Sequence, residues 1–256
     1  MQETMPSVTP CPSPNQGTRR GGARADMVVL HYTGMTDCAA ALDRLGDPAA
    51  EVSAHYVVDL DGRVFRMVPE TARAWHAGVA AWGAVGDVNS RSIGIEIVNP
   101  GHELGHPPYP APQMQALARL LGSILARHAI APERVVGHAC IAPGRKRDPG
   151  EKFDWRGLAL MGLSVWLDPE PAGDAGGAGL PDAAAFRAAA RRFGYPVAPG
   201  AGWDAALLAV WHAFAMRFLP AAAAAGAGPS HAGLRHLERL AARWPVAPEP
   251  AAASGD

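Results

Sequence analysis

Three cysteines in 256 residues, Cys11, Cys38 and Cys140, follow no regular spacing. So sparse and odd a set makes a poor disulfide framework and points to a reducing compartment. No apolar stretch reaches the length of a transmembrane helix. The segment Met1 to Pro14 is polar and rich in Pro and Ser, without the basic and apolar regions of a secretory signal. As it stands the chain is expected to be cytoplasmic, with the cell envelope or periplasm as the alternative if the start is incomplete. Surplus charge is also missing. Lys and Arg total 23 against 24 Asp and Glu, a balance that argues against a nucleic-acid partner. No internal repeat is present.

Nearly half the residues, 48%, are hydrophobic, enough for a sizeable core and a small second domain. Residues 1–25 read as an irregular arm, heavy in Pro, Gly and Arg. The stretch 26–32 is short, apolar and β-branched, as buried strands are. Residues 56–59 and 64–68 read as strands joined through Leu60-Asp61-Gly62-Arg63, a hairpin with the Asp-Gly turn signal. A further strand covers 92–98, where Ile93, Ile95 and Ile97 share one face and Gly94, Glu96 and Val98 the other. Helical spacing of Met114, Leu117, Leu121, Ile124 and Leu125 predicts a helix over 112–128. Short elements follow at 135–137 (strand) and 155–163 (helix). Strands interleaved with helices predict an α/β fold, a central sheet covered by helices, over residues 26–167. Residues 168–181 read as a Pro/Gly/Ala/Asp linker. Helices at 183–193, 203–218 and 231–242 predict a three-helix domain over 182–245, and 246–256 reads as a disordered tail.

Two imidazoles and one carboxylate carry the chemistry. His31 ends the run Met27-Val28-Val29-Leu30, His138 follows Val135-Val136-Gly137, and Asp148 lies inside Gly-Arg-Lys-Arg-Asp-Pro-Gly. Such a set suits Zn²⁺ and leaves a fourth position for water, the mark of a catalytic rather than a structural site. Pro149 restricts the backbone of Asp148, which helps to fix a ligand. Glu96 is a lone carboxylate amid apolar strand residues; beside a metal it would serve as a general base, and at a sheet edge it would simply meet water. Lys146 could stabilise an oxyanion, but Arg145-Lys146-Arg147 reads first as a solvated basic run. His55 and His76 suit substrate contact or hydrogen bonding within the fold. Trp75 and Trp82 suit either a sugar-binding surface or the core. Cys140 reads as a small filler beside the site. Gly-His-Glu-Leu-Gly-His, 101–106, lacks the helix and residue order of an HExxH zinc motif.

Taken in order, Val-Leu-His-Tyr-Thr-Gly (29–34), Val-Ser-Ala-His-Tyr (52–56), Asp-Gly-Arg-Val (61–64), Ala-Trp-His-Ala-Gly (74–78), Asn-Ser-Arg-Ser-Ile-Gly-Ile-Glu-Ile-Val-Asn (89–99) and Gly-His-Ala-Cys-Ile-Ala-Pro-Gly-Arg-Lys-Arg-Asp-Pro-Gly (137–150) resemble the zinc N-acetylmuramoyl-L-alanine amidases of the amidase_2 family. That family shares its fold, a mixed central β-sheet flanked by helices, with the peptidoglycan recognition proteins. The resemblance implies zinc ligands at His31, His138 and Asp148, and it implies Glu96 and Lys146 as the catalytic pair. His55, Trp75, His76, Asn89 and Arg145 lie in the matching segments and are expected at the substrate. The implied reaction is hydrolysis of the amide between N-acetylmuramic acid and L-alanine, in peptidoglycan or anhydro-muropeptides, by a monomer. A non-catalytic recognition module is the alternative. The C-terminal helices resemble a small peptidoglycan-binding module, through Arg-Phe-Gly-Tyr-Pro-Val (192–197) and Ala-Phe-Ala-Met-Arg-Phe-Leu-Pro (213–220).

Overall fold

Short β-branched runs form the centre of the protein, whose computed structural model describes residues 7–170 and 179–246. The strands are β1 (Val8–Pro10), β2 (Gln16–Gly17), β3 (Met27–Tyr32), β4 (Tyr56–Val58), β5 (Val64–Arg66), β6 (Arg73–Ala74), β7 (Ser92–Ile97) and β8 (Val135–Gly137). Six of them make a mixed sheet in the order β1-β5-β4-β7-β3-β8, and β2 pairs with β6 apart from it. Only β4 and β5 run antiparallel within the large sheet. Gly62, in the loop between them, adopts a positive φ of 88° and packs against the Pro112 carbonyl, where a Cβ would lie 2.8 Å from the oxygen. The helices are α1 (Cys38–Gly46), α2 (Val88–Arg91), α3 (Ala111–His128), α4 (His138–Ile141), α5 (Trp155–Leu160), α6 (Ala183–Phe193), α7 (Ala205–Phe218), α8 (Pro220–Ala224) and α9 (His231–Arg243).

Alternation along the strands divides the sheet into two faces. On one, Val28, Leu30, Tyr56, Val58, Ile93, Ile95, Ile97 and Val135 pack with Leu117, Leu120, Leu121 and Ile124 of α3 and with Trp155 and Leu158 of α5. Truncating one of these α3 leucines to Ala removes about 2–5 kcal/mol of stability. The other face carries Met27, Val29 and Val136, which join a core with the C-terminal helices. The same face carries His31 and Glu96, the residues expected at the site.

Two expectations need correction. The segment predicted as an irregular arm contributes β1, which extends the sheet edge in parallel with β5 through Val8 opposite Val64, and β2, which pairs with β6. Polar composition concealed both because an edge strand needs few apolar residues. Further, the C-terminal helices do not build a core of their own. Phe186, Phe193, Tyr195, Trp211, Phe214 and Phe218 lie in one continuous cluster with Met27, Val29, Val136 and Ile141 of the sheet domain. Trp82 is the link: it is buried against Phe193 and Tyr195, so it belongs to this core and offers no surface to a sugar. Cys140 lies in the same cluster. The predicted tail beyond residue 246, and most of the predicted linker, lie outside the described residues. No helix among the described residues is long and apolar enough to cross a membrane.

Candidate functional site

Parallel register puts His31 on β3 directly beside Glu96 on β7. The adjacent strand β8 ends at Gly137, so His138 emerges next to His31 at the start of α4. Asp148 is brought back by the loop that follows: its carbonyl accepts the Ala139 N–H at 2.9 Å. Gly137 makes room for that loop, since a Cβ there would lie 2.8 Å from Pro149 Cδ. The result is a buried triangle. His31 Nδ1 lies 2.9 Å from His138 Nδ1 and 3.1 Å from Asp148 Oδ2, and His138 Nδ1 lies 3.0 Å from the same oxygen.

Hydrogen bonds behind the triangle decide where the protons are. Ser92 Oγ donates to the Val88 carbonyl at 2.6 Å, so toward His76 it can only accept. His76 Nε2–H therefore donates to Ser92 Oγ at 3.1 Å. This leaves His76 Nδ1 to accept from His31 Nε2–H at 3.0 Å, and His31 Nδ1 keeps its lone pair. His138 Nε2–H donates to the Ala77 carbonyl at 3.1 Å, which leaves its Nδ1 with a lone pair as well. Burial, then the charge of His138, pushes His31 down to about 4. Burial opposes ionisation of Asp148, but the His138 and His31 imidazoles outweigh it and hold the carboxyl well below the usual range. In the neutral form of both imidazoles, three electron-pair donors thus face one another. That arrangement calls for a cation. Ideal tetrahedral coordination at about 2.0–2.1 Å spaces ligand atoms about 3.3 Å apart, close to the separations observed. The donor set fits a divalent metal, and His–acceptor contacts of this kind are how proteins orient metal-binding imidazoles.

Glu96 faces a cleft of about 420 Å³ that also exposes His31, His138 and Asp148 and is bordered by Trp75, Arg145 and Lys146. Its Oε2 is buried without a hydrogen-bond partner. Burial, reinforced by the Asp148 charge, raises this carboxyl well above the ordinary glutamate value. A basic edge belongs to the same cleft, with Arg44 and Arg147 beside Arg145 and Lys146. Arg145 is tied down by the Ala77 and Val79 carbonyls, at 2.7 and 2.6 Å.

The residues expected at the substrate divide. Trp75, His76 and Arg145 line the cleft. His55 does not: it is fully buried, accepts the Gly94 N–H at 2.9 Å and donates to the Ala72 carbonyl at 3.2 Å. Asn89 is buried as well, and its Oδ1 accepts the N–H groups of His76 and Ala77 at 3.1 and 2.9 Å. Both therefore act on the fold, and the expectation of substrate contact is corrected for them. Asn89 shapes the turn that presents His76, and His55 pins β7 opposite. Sequence reasoning also missed Ser92 and Gly94. Gly94 lets His76 lie flat on the sheet, because a Cβ would come within 2.4 Å of its ring. The signal available was a glycine inside a strand, which often marks a close approach.

Residues 21–151 match the family described as N-acetylmuramoyl-L-alanine amidase. The chain belongs to this family. Among its amidase relatives, N-acetylmuramoyl-L-alanine amidase AmiD of Escherichia coli K12 is 40% identical over 159 residues, 57% of this chain and 56% of the relative. The chain thus spans little more than half the length of that protein. The 1,6-anhydro-N-acetylmuramyl-L-alanine amidase AmpD of Citrobacter freundii is 32% identical over 161 residues, 56% of this chain and 84% of its own length. In three dimensions the chain is similar to the E. coli AmiD complex with anhydro-N-acetylmuramic acid-L-Ala-D-gamma-Glu-L-Lys, with a TM-score of 0.76 and 33% identity over 89% of this chain and 92% of that one. AmpDh3 of Pseudomonas aeruginosa matches with a TM-score of 0.69 and 34% identity over 88% of this chain and 91% of that one. The mixed sheet flanked by helices is therefore the amidase fold. All the cleft residues discussed above, His31 to Asp148, fall within the matched segment.

Proposed function

We propose that the chain hydrolyses the amide between the lactyl group of N-acetylmuramic acid and L-alanine, in muropeptides released during peptidoglycan turnover. The carrying observation is the triangle of His31, His138 and Asp148 beside an unpartnered Glu96. Zinc held by those three residues would supply Lewis-acid polarisation of the amide carbonyl and acidify the attacking water. Glu96, as carboxylate, takes a proton from that water as oxygen attacks the carbonyl carbon. It then returns the proton to the departing alanine nitrogen, so that water and amide yield a muramic carboxylic acid and a peptide amine. Burial raises its affinity for that proton. The Lys146 ammonium, at the cleft edge, stabilises the oxyanion of the tetrahedral stage. Arg44, Arg145 and Arg147 attract the carboxylates of the stem peptide, and Trp75 offers an apolar surface to the sugar. The anhydro-muropeptide in the AmiD complex and the substrate named for AmpD support the choice of released fragments.

A recognition module that grips without cutting would have no use for an unpartnered carboxyl beside three metal-binding groups. Purified protein is to be incubated with anhydro-muropeptides and, in parallel, with intact sacculi. Products are read by mass spectrometry with and without chelator. Free peptide and anhydro-muramic acid, abolished by the chelator and restored by zinc, are expected. Muropeptide left intact after zinc reconstitution overturns the proposal.

A further inference from the structure

The Gly-His-Glu-Leu-Gly-His segment does not form an HExxH site, yet two of its residues meet a third that lies far off in sequence. His102, His106 and Glu151 offer ligand atoms within 4.8 Å of one another, a second such cluster among the described residues. From these residues we infer a second divalent-metal site, formed by His102, His106 and Glu151, that ties the 101–106 loop to the segment following Asp148. The inference does not depend on the amidase reading.

Proton positions carry the argument. His106 Nε2 lies 3.1 Å from the Pro149 carbonyl. A carbonyl only accepts, so Nε2 holds a proton, and in the neutral ring Nδ1 keeps its lone pair. His106 is 3% exposed, and Nδ1 is buried without a hydrogen-bond partner. It faces Glu151 Oε1 at 3.5 Å, which in the neutral ring sets a lone pair against a carboxylate oxygen. Burying an unpartnered polar atom away from water is unfavourable, and a cation would reverse the sign of this contact. His102 completes the set. Its Nδ1 lies 3.0 Å from the Tyr32 hydroxyl, which orients the ring, and its Nε2 lies 2.9 Å from Glu151 Oε2. Each imidazole has one nitrogen on an oxygen of the fold and the other toward the Glu151 carboxylate; at His102 that second contact is an Nε2–H···Oε2 hydrogen bond, whose proton a bound metal would displace.

Steric evidence shows the site to be built. The two imidazoles stack with centroids 4.3 Å apart, and Gly150 admits them, since a Cβ there would lie 2.4 Å from His106 Cε1 and 2.8 Å from His102 Cε1. His106 itself adopts a positive φ of 39°, a conformation unfavourable for a histidine and retained where surroundings enforce it. Two imidazoles and a carboxylate select a first-row divalent ion, zinc above all. Tetrahedral binding would draw these donors, now within 4.8 Å of one another, to about 3.3 Å.

Metal stoichiometry tests the inference directly. Apoprotein is saturated with zinc, desalted and analysed by plasma mass spectrometry. Two zinc ions per chain are expected for the wild type. Glu151→Gln, which preserves side-chain shape, and His106→Ala are each expected to hold one. His138→Ala, which disables the other cluster, is also expected to hold one, and His138→Ala combined with Glu151→Gln none. Circular dichroism checks that each variant is folded, and the wild-type value stands without any variant. One zinc ion per wild-type chain overturns the inference, as do two ions retained by folded Glu151→Gln and His106→Ala.

Discussion

Gly94→Ala tests the hydrogen-bond relay that prepares His31 for a metal. The added Cβ would lie 2.4, 2.5 and 2.7 Å from Cγ, Cδ2 and Nδ1 of His76. Ordinary contact needs more than 3.4 Å, and Gly94 is fixed in the middle of β7, so the imidazole must retreat by about 1 Å. That displacement takes the His76–His31 contact of 3.0 Å and the His76–Ser92 contact of 3.1 Å out of hydrogen-bond range. His31 then loses the acceptor that holds its proton on Nε2. Loss of one such orienting contact weakens metal binding about 10–100-fold, or roughly 1.4–2.8 kcal/mol. The assay is zinc competition against a chromophoric chelator on folded apoprotein. His76→Ala should give a loss of similar size. In the His76→Ala background the new methyl has nothing to displace, so Gly94→Ala should add almost nothing there, a strongly non-additive cycle. Zinc affinity of Gly94→Ala within twofold of wild type would refute the relay. So would a full tenfold loss in the His76→Ala background, because the effect would then run through the sheet.

Glu96→Gln keeps the shape of the proposed base and removes its proton affinity; turnover of muropeptide should fall about 10²–10⁴-fold while zinc content is unchanged, and near-wild-type turnover would reject the assignment. Glu70 should make stability pH-dependent. Burial alone would raise its carboxyl, but hydrogen bonds from Arg127, His128 and Tyr56 outweigh this and hold it at about 2. A carboxyl depressed in the folded state stabilises the protein above its unfolded value near 4.5 and loses that contribution as pH falls from there toward 2. The contribution is about 2 kcal/mol after allowance for screening at the partly exposed Arg127. Thermal melts of wild type and Glu70→Gln should thus differ at pH 7 and converge at pH 2–3; parallel curves would contradict it. Gly194→Ala would place a Cβ 2.5 Å from Trp82 at a φ of 127°, and overpacking of this kind removes about 1–3 kcal/mol. Because Trp82 joins the sheet domain to the C-terminal helices, the variant should shift one cooperative unfolding transition, whereas a separate early transition would show that the helices fold as an independent unit.

Much of this arrangement could be read from local pattern. Period-two alternation in Ser-Ile-Gly-Ile-Glu-Ile separated the isoleucine face from the Glu96 face, and the structure keeps that division. The apolar stripe of α3 likewise marked the helix that covers the isoleucines. What pattern could not supply was partnership across long separations. A histidine whose two ring nitrogens are both satisfied inside the fold, as in His55, has the same local sequence signature as one that faces a substrate. Asn89 misleads in the same way, since its role lies in accepting two backbone N–H groups thirteen and twelve residues earlier in the chain. His102 and His106 offered no third ligand within their own segment; Glu151 reaches them only because the loop after Asp148 folds back over Gly150. The C-terminal helices misled differently. Their apolar faces looked sufficient for a small bundle, yet Phe193 and Tyr195 are completed by Trp82, more than a hundred residues earlier.

Strand direction explains why the site stands where it does. β7, β3 and β8 are adjacent and parallel, so their carboxyl ends open at one edge of the sheet, where open α/β sheets place their ligands. Glu96 is the fifth of six residues in β7, and His31 is the fifth of six in β3. His138 comes directly after β8. Were β3 shifted by one residue against β7, His31 would turn toward α3 and bury an imidazole among isoleucines and leucines. The apolar alternation that drives α3 onto the sheet is therefore what fixes the side on which His31 and Glu96 emerge. Only Asp148 is free of this constraint, and the structure compensates by anchoring its loop through Ala139, Gly137 and the doubly bonded Pro149 carbonyl, which accepts from both His106 and Tyr109. Packing on one face of the sheet and loop anchoring beyond its end thus set the three-atom triangle together, and neither alone would bring it within metal-binding distance.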